Sequence, residues 1–255
     1  MRDKIIKMSV LLFLGFLLIM PMGVVFLISI VPRWHTAIPT SFGLKWWVLL
    51  LSKSKYAKII FNSIYITLLS TLVTVFYAVI ASYVFIYCEF RGKGILSLIM
   101  LCPSYVSGVV IGLGLLTMYP MIRNTGLILV LGHFMVIIPL VYRSILSSML
   151  KVPSNLIEVS QSLGSTQFNT FRKVILPLIS RGIMAGSIIS VGMNMSELSV
   201  SFFLYGPDWT LIPVQIYLEW WKGSLGVAGA LATILALMAI ITTYGANYLG
   251  AKKKW

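Results

Sequence analysis

One acidic side chain lies inside a long apolar segment in the last third of the chain. Glu197, with Asn194 and Ser196 beside it, falls in residues 183–205, which are otherwise largely hydrophobic. An ionised side chain inside a membrane span costs about 2.5–3.5 kcal/mol, so such groups usually face the bundle interior or water. We hypothesise that Glu197 faces an aqueous cavity and helps a cationic solute to pass. The alternative is a structural hydrogen bond or ion pair with a neighbouring subunit.

The other side chains capable of chemistry do not form a catalytic or metal-binding pattern. His133 has no second His, Cys or carboxylate at metal-ligand spacing, so we interpret it as a hydrogen-bonding residue between helices. Cys88 and Cys102 fit neither a disulfide framework nor a metal site. The sequence contains no Gly-x-x-x-x-Gly-Lys-Ser/Thr, His-Glu-x-x-His or Gly-x-Ser-x-Gly. We therefore predict no catalytic residue, no metal ligand and no cofactor or nucleotide bound by this chain.

The elements that position these residues follow from an extreme composition. Of the 255 residues, 59% are hydrophobic and 10% are charged, and the mean hydropathy is +0.97. Soluble domains carry about 25% charged residues and disordered chains have low hydrophobicity, so both classes are excluded. Long unbroken apolar runs also argue against the alternating strands of an outer-membrane barrel. We predict a single all-α, polytopic membrane domain that covers residues 1–255.

Six apolar segments are long enough to cross a hydrocarbon core, which needs about 20 residues per helix. Between them we expect an outer loop at about 31–58 and a long inner loop at about 150–182. The six predicted transmembrane helices are 8–30, 59–87, 95–119, 126–149, 183–205 and 225–250.

The distribution of basic residues predicts the orientation and argues against a nucleic-acid partner. Lys and Arg number 20 against six acidic residues, but they lie in short segments between apolar runs, not in a stripe interleaved with aromatics. Thirteen of the 20 fall on the side that holds both termini and the inner loop. Because positive charge is retained inside, we expect both termini in the cytoplasm.

The inner loop predicts a short helix with one apolar face. Leu156, Val159 and Leu163 recur at i, i+3 and i+7, which gives a stripe suited to a groove on another protein. Gly164 permits a sharp turn after this helix, and Pro177 can start the next span. A structured helix between two spans is most simply a docking site.

The spacing in this loop resembles the EAA signature of the permease subunits of binding-protein-dependent ABC importers. That signature is Glu-Ala-Ala, three residues, Gly, nine residues, and Ile-x-Leu-Pro. The matching residues are Glu158-Val159-Ser160, Gly164 and Val174-Ile175-Leu176-Pro177. The spacing matches throughout, although both alanines and the isoleucine are replaced. Further stretches similar to this family are 41–47, 62–63, 90–93, Pro139 and 210–214.

The resemblance implies a type I ABC importer permease (MetI-like) fold and a subunit that forms the translocation path. In this family the inner loop is a coupling helix that fits a cleft of the ATP-binding subunit. The coupling residues implied here are Leu156, Glu158, Val159, Ser160, Leu163, Gly164, Leu176 and Pro177. The path residues that we expect are Asn194, Ser196 and Glu197, because the fifth span lines the path in this family.

The resemblance also implies partners and a location. We expect two ATP-binding subunits that use ATP and Mg, an external substrate-binding protein, and the lipid bilayer of a bacterial cytoplasmic (inner) membrane. A second permease is required, either an identical chain or, as in relatives of this size, a similar but distinct one. Segments 196–198 and 202–207 are most similar to polyamine, ferric iron and aminoethylphosphonate permeases. The acid favours spermidine or putrescine, followed by ferric iron or aminoethylphosphonate.

A self-sufficient channel or secondary transporter is the alternative function. Secondary carriers often contain inverted repeats with broken helices, but the sequence shows no convincing internal repeat. The coupling loop would also have no purpose in such a protein. A membrane-embedded enzyme is a third possibility, and no catalytic motif supports it. ATP dependence of uptake separates the first two functions.

Overall fold

The computed structural model describes residues 2–32 and 41–252, and all regular elements within them are helical. The helices are α1 (Arg2–Ile30), α2 (Lys45–Ser52), α3 (Ser54–Tyr87), α4 (Lys93–Leu101), α5 (Gly108–Met118), α6 (Gly126–Met149), α7 (Ser154–Ser162), α8 (Gln167–Thr170), α9 (Leu176–Leu178), α10 (Ser180–Ser196), α11 (Ser199–Leu204), α12 (Ile212–Trp221) and α13 (Leu225–Lys252). Two 3-10 turns, Cys102–Tyr105 and Pro120–Ile122, and one π-helix, Phe171–Ile175, complete the description.

Within the described residues, four helices are long and apolar enough to cross a membrane unaided: α1, α3, α6 and α13. Two further candidates are bent pairs. Lys93–Tyr105 and Gly108–Met118 meet at 107°, and Gln167–Leu178 and Ser180–Ser196 meet at 66°. The all-α membrane fold is confirmed, and six spans are obtained when each bent pair counts as one span. The predicted third span at 95–119 is wrong as a single helix, because the 107° bend divides it. The first bend follows the 3-10 turn that starts at Cys102, because Val106 and Ser107 are extended.

The two predicted loops contain more helix than a loop description suggests. Of the predicted outer loop at 31–58, residues 33–40 lie outside the described residues. Helix α2 occupies Lys45–Ser52, and α3 already begins at Ser54. The inner loop at 150–182 contains α7, α8, the π-helix and α9, and α10 already begins at Ser180. Short apolar helices such as α2 fall below the length of a span, so the search for spans could not find them.

The predicted fifth span at 183–205 is wrong as a single helix. Helix α10 ends at Ser196, Glu197 is extended with φ −72° and ψ 107°, and α11 begins at Ser199. The sequence shows polar residues here, Ser196, Glu197 and Ser199, but composition alone does not distinguish a polar site within one helix from an interruption between two helices. The break falls at the acidic residue that the sequence analysis singled out.

The chain divides into two compact units, and the first lies within Met1–Ile60 and Ile212–Leu237. Trp46 ties α2 to the end of α1, because its Nε1 donates a hydrogen bond to the carbonyl oxygen of Val31 at 2.9 Å. The indole of Trp46 packs against Gly226, where any side chain would collide with the ring. Glu219 is buried in this unit, and its Oε1 accepts hydrogen bonds from Gln215 Nε2 at 2.6 Å and from Tyr56 OH at 3.3 Å.

The second unit comprises Phe61–Leu211 and Met238–Trp255, and α6 lies at its centre. The half of α6 around Tyr142 packs in one apolar cluster with α3, with the π-helix and with Ile179, which follows α9. The half around Leu129 packs in another with α3, α5 and α11. Gly132 allows α11 to approach α6 closely, because a Cβ there would lie 2.5 Å from Val200 Cγ1. Helix α6 thus carries the framework on which α10 and α11 are positioned.

Candidate functional site

Helix α7 ends in a backbone turn that requires glycine. Gly164 has φ +81°, a left-handed conformation that glycine adopts without the Cβ penalty. Gly164 N–H donates to the carbonyl of Gln161 at 2.9 Å, and Ser165 N–H donates to the carbonyl of Ser160 at 3.1 Å. This pair of hydrogen bonds is a Schellman motif. The predicted sharp turn after this helix is confirmed.

The apolar stripe of α7 faces away from the rest of the chain. Leu156, Val159 and Leu163 are 41%, 57% and 83% exposed, whereas Ile157 packs on the apolar cluster around Tyr142. The helix therefore uses one face to rest on its own chain and leaves the opposite apolar face uncovered. Exposed apolar residues that line one face of a helix mark an interaction site.

Helix α7 is attached to the next helix through a pair of hydroxyl groups. Ser160 Oγ and Thr170 Oγ1 lie 3.0 Å apart, and Thr170 is buried at the end of α8. Thr166 starts α8 by accepting a hydrogen bond from Asn169 N–H. Ser160 is one of the two residues that replace an alanine of the EAA signature, so this link depends on the substitution.

The remaining residues of the EAA signature lie on α7 and on the segment that runs from the π-helix to α9. Glu158 is exposed on α7, Leu176 is half-buried, and Pro177 is exposed within α9. Ile175 is buried at the end of the π-helix. The structure therefore brings the two halves of the signature together in one assembly, residues 154–178.

A second candidate region surrounds the break between α10 and α11. Glu197 is half-buried, and its Oε1 accepts a hydrogen bond from Val200 N–H at 3.0 Å. This bond satisfies one of the free N–H groups at the start of α11, as a capping side chain does. Ser196 is exposed at the end of α10, where its hydroxyl donates to the carbonyl of Gly192 at 3.1 Å. The carboxylate thus lies at the interruption itself.

Asn194 does not share the exposure of its two neighbours. It is 2% exposed, and its Oδ1 lies 2.7 Å from Nδ1 of His133, which is fully buried on α6. Asn194 Nδ2 donates to Ser190 Oγ at 3.1 Å and to Thr71 Oγ1 at 3.3 Å. The interpretation of His133 as a hydrogen-bonding residue between helices is confirmed.

The same network includes two more hydrogen bonds that the sequence analysis missed. His133 Nε2 lies 2.7 Å from Ser201 Oγ on α11, and Ser190 Oγ donates to Thr71 Oγ1 at 3.0 Å. The only signal for these residues in the sequence is a polar pair at i and i+4, Ser190 and Asn194, within an apolar run. The partners on α3, α6 and α11 have no fixed spacing from them.

Other candidate chemistry was sought among the residues that the structure describes. In that part of the chain no group of three or more His, Cys, Asp or Glu side chains could hold a metal ion. Cys88 and Cys102 are both exposed free thiols. The assembly at 154–178 and the helix break are thus the two regions that carry the candidate site residues.

Comparisons with known proteins identify relatives over most of the chain. Residues 75–251 match the family model described as "Binding-protein-dependent transport system inner membrane component". PhnV of Salmonella typhimurium, named as a permease protein of a 2-aminoethylphosphonate transport system, is 26% identical over 87% of this chain and 85% of its own length. PotC of Escherichia coli K12, named as a spermidine/putrescine transport system permease protein, is 28% identical over 83% of this chain and 81% of its own length.

A solved structure confirms the fold. A chain of a bacterial ABC transporter involved in the import of the acidic polysaccharide alginate superposes with a TM-score of 0.79 at 18% identity. The match covers 100% of this chain and 97% of that chain. The predicted permease fold is therefore confirmed, and at this identity the likeness concerns the fold alone.

Proposed function

Because this chain belongs to the family of binding-protein-dependent transport system inner membrane components and is a permease subunit of an ABC importer, we propose that it forms the translocation path for a small cationic solute. A polyamine such as spermidine or putrescine is the first candidate. The observation that carries the proposal is the carboxylate of Glu197, which lies half-buried at the helix break. Polyamines are alkyl chains that carry several ammonium groups, and a carboxylate at membrane depth attracts these groups.

The capping role of Glu197 does not by itself explain a carboxylate. Ser, Thr or Asn would accept the same hydrogen bond from Val200 N–H without the cost of placing a charge at membrane depth. The negative charge therefore favours a function beyond capping. Attraction of a positively charged solute supplies one.

A second solute, 2-aminoethylphosphonate, is favoured by the similarity to PhnV. This molecule also carries an ammonium group, so a carboxylate suits one end of it. Its phosphonate end needs hydrogen-bond donors or cations, which polyamines do not need. Ferric iron, the remaining candidate from the sequence, is tested in the same assay.

The second part of the proposal assigns ATPase coupling to residues 154–178, here called the coupling assembly. The exposed stripe of Leu156, Val159 and Leu163 fits a groove on an ATP-binding subunit. Gly164 fixes the end of α7 through its backbone turn, and Ser160 links α7 to α8. Movement of α7 in the groove would then reach α10 through α8, the π-helix and α9, which follow one another along the chain.

The proposed complex contains two ATP-binding subunits, which use ATP and Mg, a second permease, similar but distinct, and an external substrate-binding protein. The description of the family supports the binding protein and the inner membrane. Both termini lie in the cytoplasm in this arrangement, which places the coupling assembly on the side where ATP is available. Helix α1 exposes apolar side chains along its length, and a bilayer covers such a surface.

Uptake by the complete complex in proteoliposomes tests the solute and the role of Glu197. Labelled putrescine, spermidine, 2-aminoethylphosphonate and ferric iron are supplied with the binding protein, and uptake is measured with ATP inside. Glu197→Gln keeps a hydrogen-bond acceptor but removes the charge, and we expect about tenfold slower polyamine uptake or more, because charged hydrogen bonds contribute about 1.5–3 kcal/mol. The matched control is Glu89→Gln, since Glu89 is exposed outside the span.

The outcomes separate the proposals. Unchanged polyamine uptake by a normally assembled Glu197→Gln complex would remove the role of the carboxylate. Uptake of 2-aminoethylphosphonate or iron without polyamine uptake would replace the solute. Uptake without ATP would support the self-sufficient channel or secondary transporter instead.

A further inference from the structure

Helices α10 and α11 are the two parts of an interrupted helix, and one side chain of a third helix contacts both. His133 on α6 reaches Asn194 on α10 with Nδ1 and Ser201 on α11 with Nε2, each at 2.7 Å. All three residues are buried, and His133 is fully enclosed. Between the two contacts lies the break that contains Glu197.

The hydrogen bonds of the network assign the ring proton of His133. Asn194 Nδ2 donates to Ser190 and Thr71, which turns the amide so that Oδ1 faces His133 Nδ1. An amide oxygen only accepts, so Nδ1 donates in this arrangement. In the tautomer whose only ring proton is on Nδ1, Nε2 accepts from the hydroxyl of Ser201.

With this assignment the polar side chains of the network other than Thr71 have matched donors and acceptors. Thr71 Oγ1 accepts from Ser190 Oγ and from Asn194 Nδ2, at 3.0 and 3.3 Å. Networks of this kind fix a structure when every member is satisfied, because an unsatisfied buried polar group is costly. The backbone between Ser196 and Ser199 lacks continuous helical hydrogen bonds, so side chains must hold the two parts.

We propose that His133 is a positioning residue for transport, whose imidazole clamps α10 to α11 and thereby fixes the break that presents the carboxylate of Glu197 to the solute. The clamp itself follows from the contacts on both ring nitrogens. The effect on the solute rests on the proposed function of Glu197. The residue acts through the break and does not touch the solute.

The clamp is tested first by hydrogen–deuterium exchange of the peptide covering residues 197–205 in the purified complex. His133→Asn keeps an amide near the position of Nδ1 and loses the contact with Ser201, and Ser201→Ala loses the same contact from the other side. Each variant should raise the exchange rate about threefold to tenfold, the range expected for one buried hydrogen bond. The double variant should exchange no faster than either single one, because both remove one contact.

A matched control separates the clamp from the general loss of a buried hydroxyl. Thr74 is buried on α3, one turn after Thr71, and its hydroxyl donates to the carbonyl of Ser70 on the same helix. Thr74→Ala should leave the exchange of residues 197–205 unchanged. Rates that multiply in the double variant of His133 and Ser201, or an equal effect of Thr74→Ala, would overturn the clamp. If the His133→Asn complex does not assemble, the exchange rates of residues 197–205 in Ser201→Ala and Ser201→Gly are compared with the rate in Thr74→Ala instead.

Transport supplies a readout that a merely structural residue would not change. The number of solute molecules imported per ATP hydrolysed should fall about threefold to tenfold in His133→Asn and in Ser201→Ala. The amount of co-purified ATP-binding subunit should remain normal in both variants. An unchanged ratio, with faster exchange at the break, would overturn the positioning role while leaving the function of Glu197 intact.

The same assay distinguishes a failure of the proposed function. If Glu197→Gln imports normally but the variants of His133 and Ser201 lose coupling, the role of the carboxylate fails and the positioning of the break is supported. If Glu197→Gln alone loses uptake, the opposite conclusion holds.

Discussion

The coupling assembly and the helix break position their residues by opposite means. In the coupling assembly, the backbone turn at Gly164 fixes the end of α7, and apolar side chains are left exposed. At the break the backbone is interrupted, and buried polar side chains of two other helices, α3 and α6, bind the helices on either side of it. An exposed surface needs only a local scaffold, because its partner supplies the remaining contacts.

The difference predicts how each region responds to substitution. In the proposed arrangement, changes on the exposed stripe remove contact with the ATP-binding subunit and leave the fold of this chain intact. Changes in the buried network leave polar atoms without partners, so they lower the stability of this chain as well. Experiments that measure complex assembly and chain stability separately therefore distinguish the two regions.

A charge placed on the exposed stripe should have the largest effect. Leu163→Asp puts a carboxylate into an apolar groove of the partner, where burial of an unpaired charge is costly. We expect more than about tenfold less ATP-binding subunit to co-purify, because several kcal/mol of desolvation accompany such a charge. Gln161→Asp, at an exposed position of α7 outside the stripe, is the matched control and should retain the subunit. Equal retention in both variants would show that the stripe is not the contact.

Loss of the hydroxyl of Thr71 should have the next largest effect. Thr71→Val removes the buried acceptor of the Ser190 hydroxyl and one of the two acceptors of Asn194 Nδ2, which costs about 1–3 kcal/mol. The thermal unfolding temperature of the purified complex should therefore fall. Thr74→Val, whose hydroxyl bonds within its own helix, should lower it less. A larger drop for Thr74→Val would contradict the network.

Strain at the turn should have an intermediate effect. Gly164→Ala forces a Cβ into a left-handed conformation, at a cost of about 1–2 kcal/mol. We expect ATP hydrolysis to be less tightly coupled to uptake while the chain still folds, since the turn is at the surface. Gly94→Ala, in a helix and with open space around it, should behave like the natural protein. Normal coupling in Gly164→Ala would show that the turn need not be rigid.

The link between α7 and α8 should have the smallest effect. Ser160→Ala leaves the buried hydroxyl of Thr170 without this partner, and we expect about 1 kcal/mol of local destabilisation. Hydrogen exchange of residues 154–162 in the complex should become faster. Ser162→Ala, an exposed hydroxyl that donates to the carbonyl of Glu158, is the control. Unchanged exchange in Ser160→Ala would mean that the link contributes nothing to the position of α7.

The parts of the structure that sequence could predict are those governed by local rules. Continuous apolar runs predicted α1, α3, α6 and α13, since length and hydropathy suffice for an uninterrupted span. Spacing alone predicted the turn at Gly164 and the stripe of Leu156, Val159 and Leu163. The residues that form this turn and this stripe are close to one another in the sequence.

The break and its network depend on contacts between distant parts of the chain. Thr71 and Asn194 are separated by 123 residues, and His133 and Ser201 by 68. No periodic pattern encodes such pairs. The interruption at Glu197 is a short polar stretch within a longer, largely apolar segment, so the average hydropathy of the segment joins α10 and α11 into one span. Sequence thus identified the acidic residue but could not show how its position is held.

Photo-cross-linking from position 159 in the complete complex is the most direct test of whether α7 docks on the ATP-binding subunit. A photoreactive amino acid replaces Val159, and the complex is irradiated in proteoliposomes that import solute with ATP. We expect one main product, which joins this chain to the ATP-binding subunit, and its loss when Leu163→Asp is added. Cross-links to lipid alone, in vesicles whose uptake continues without ATP, would contradict it.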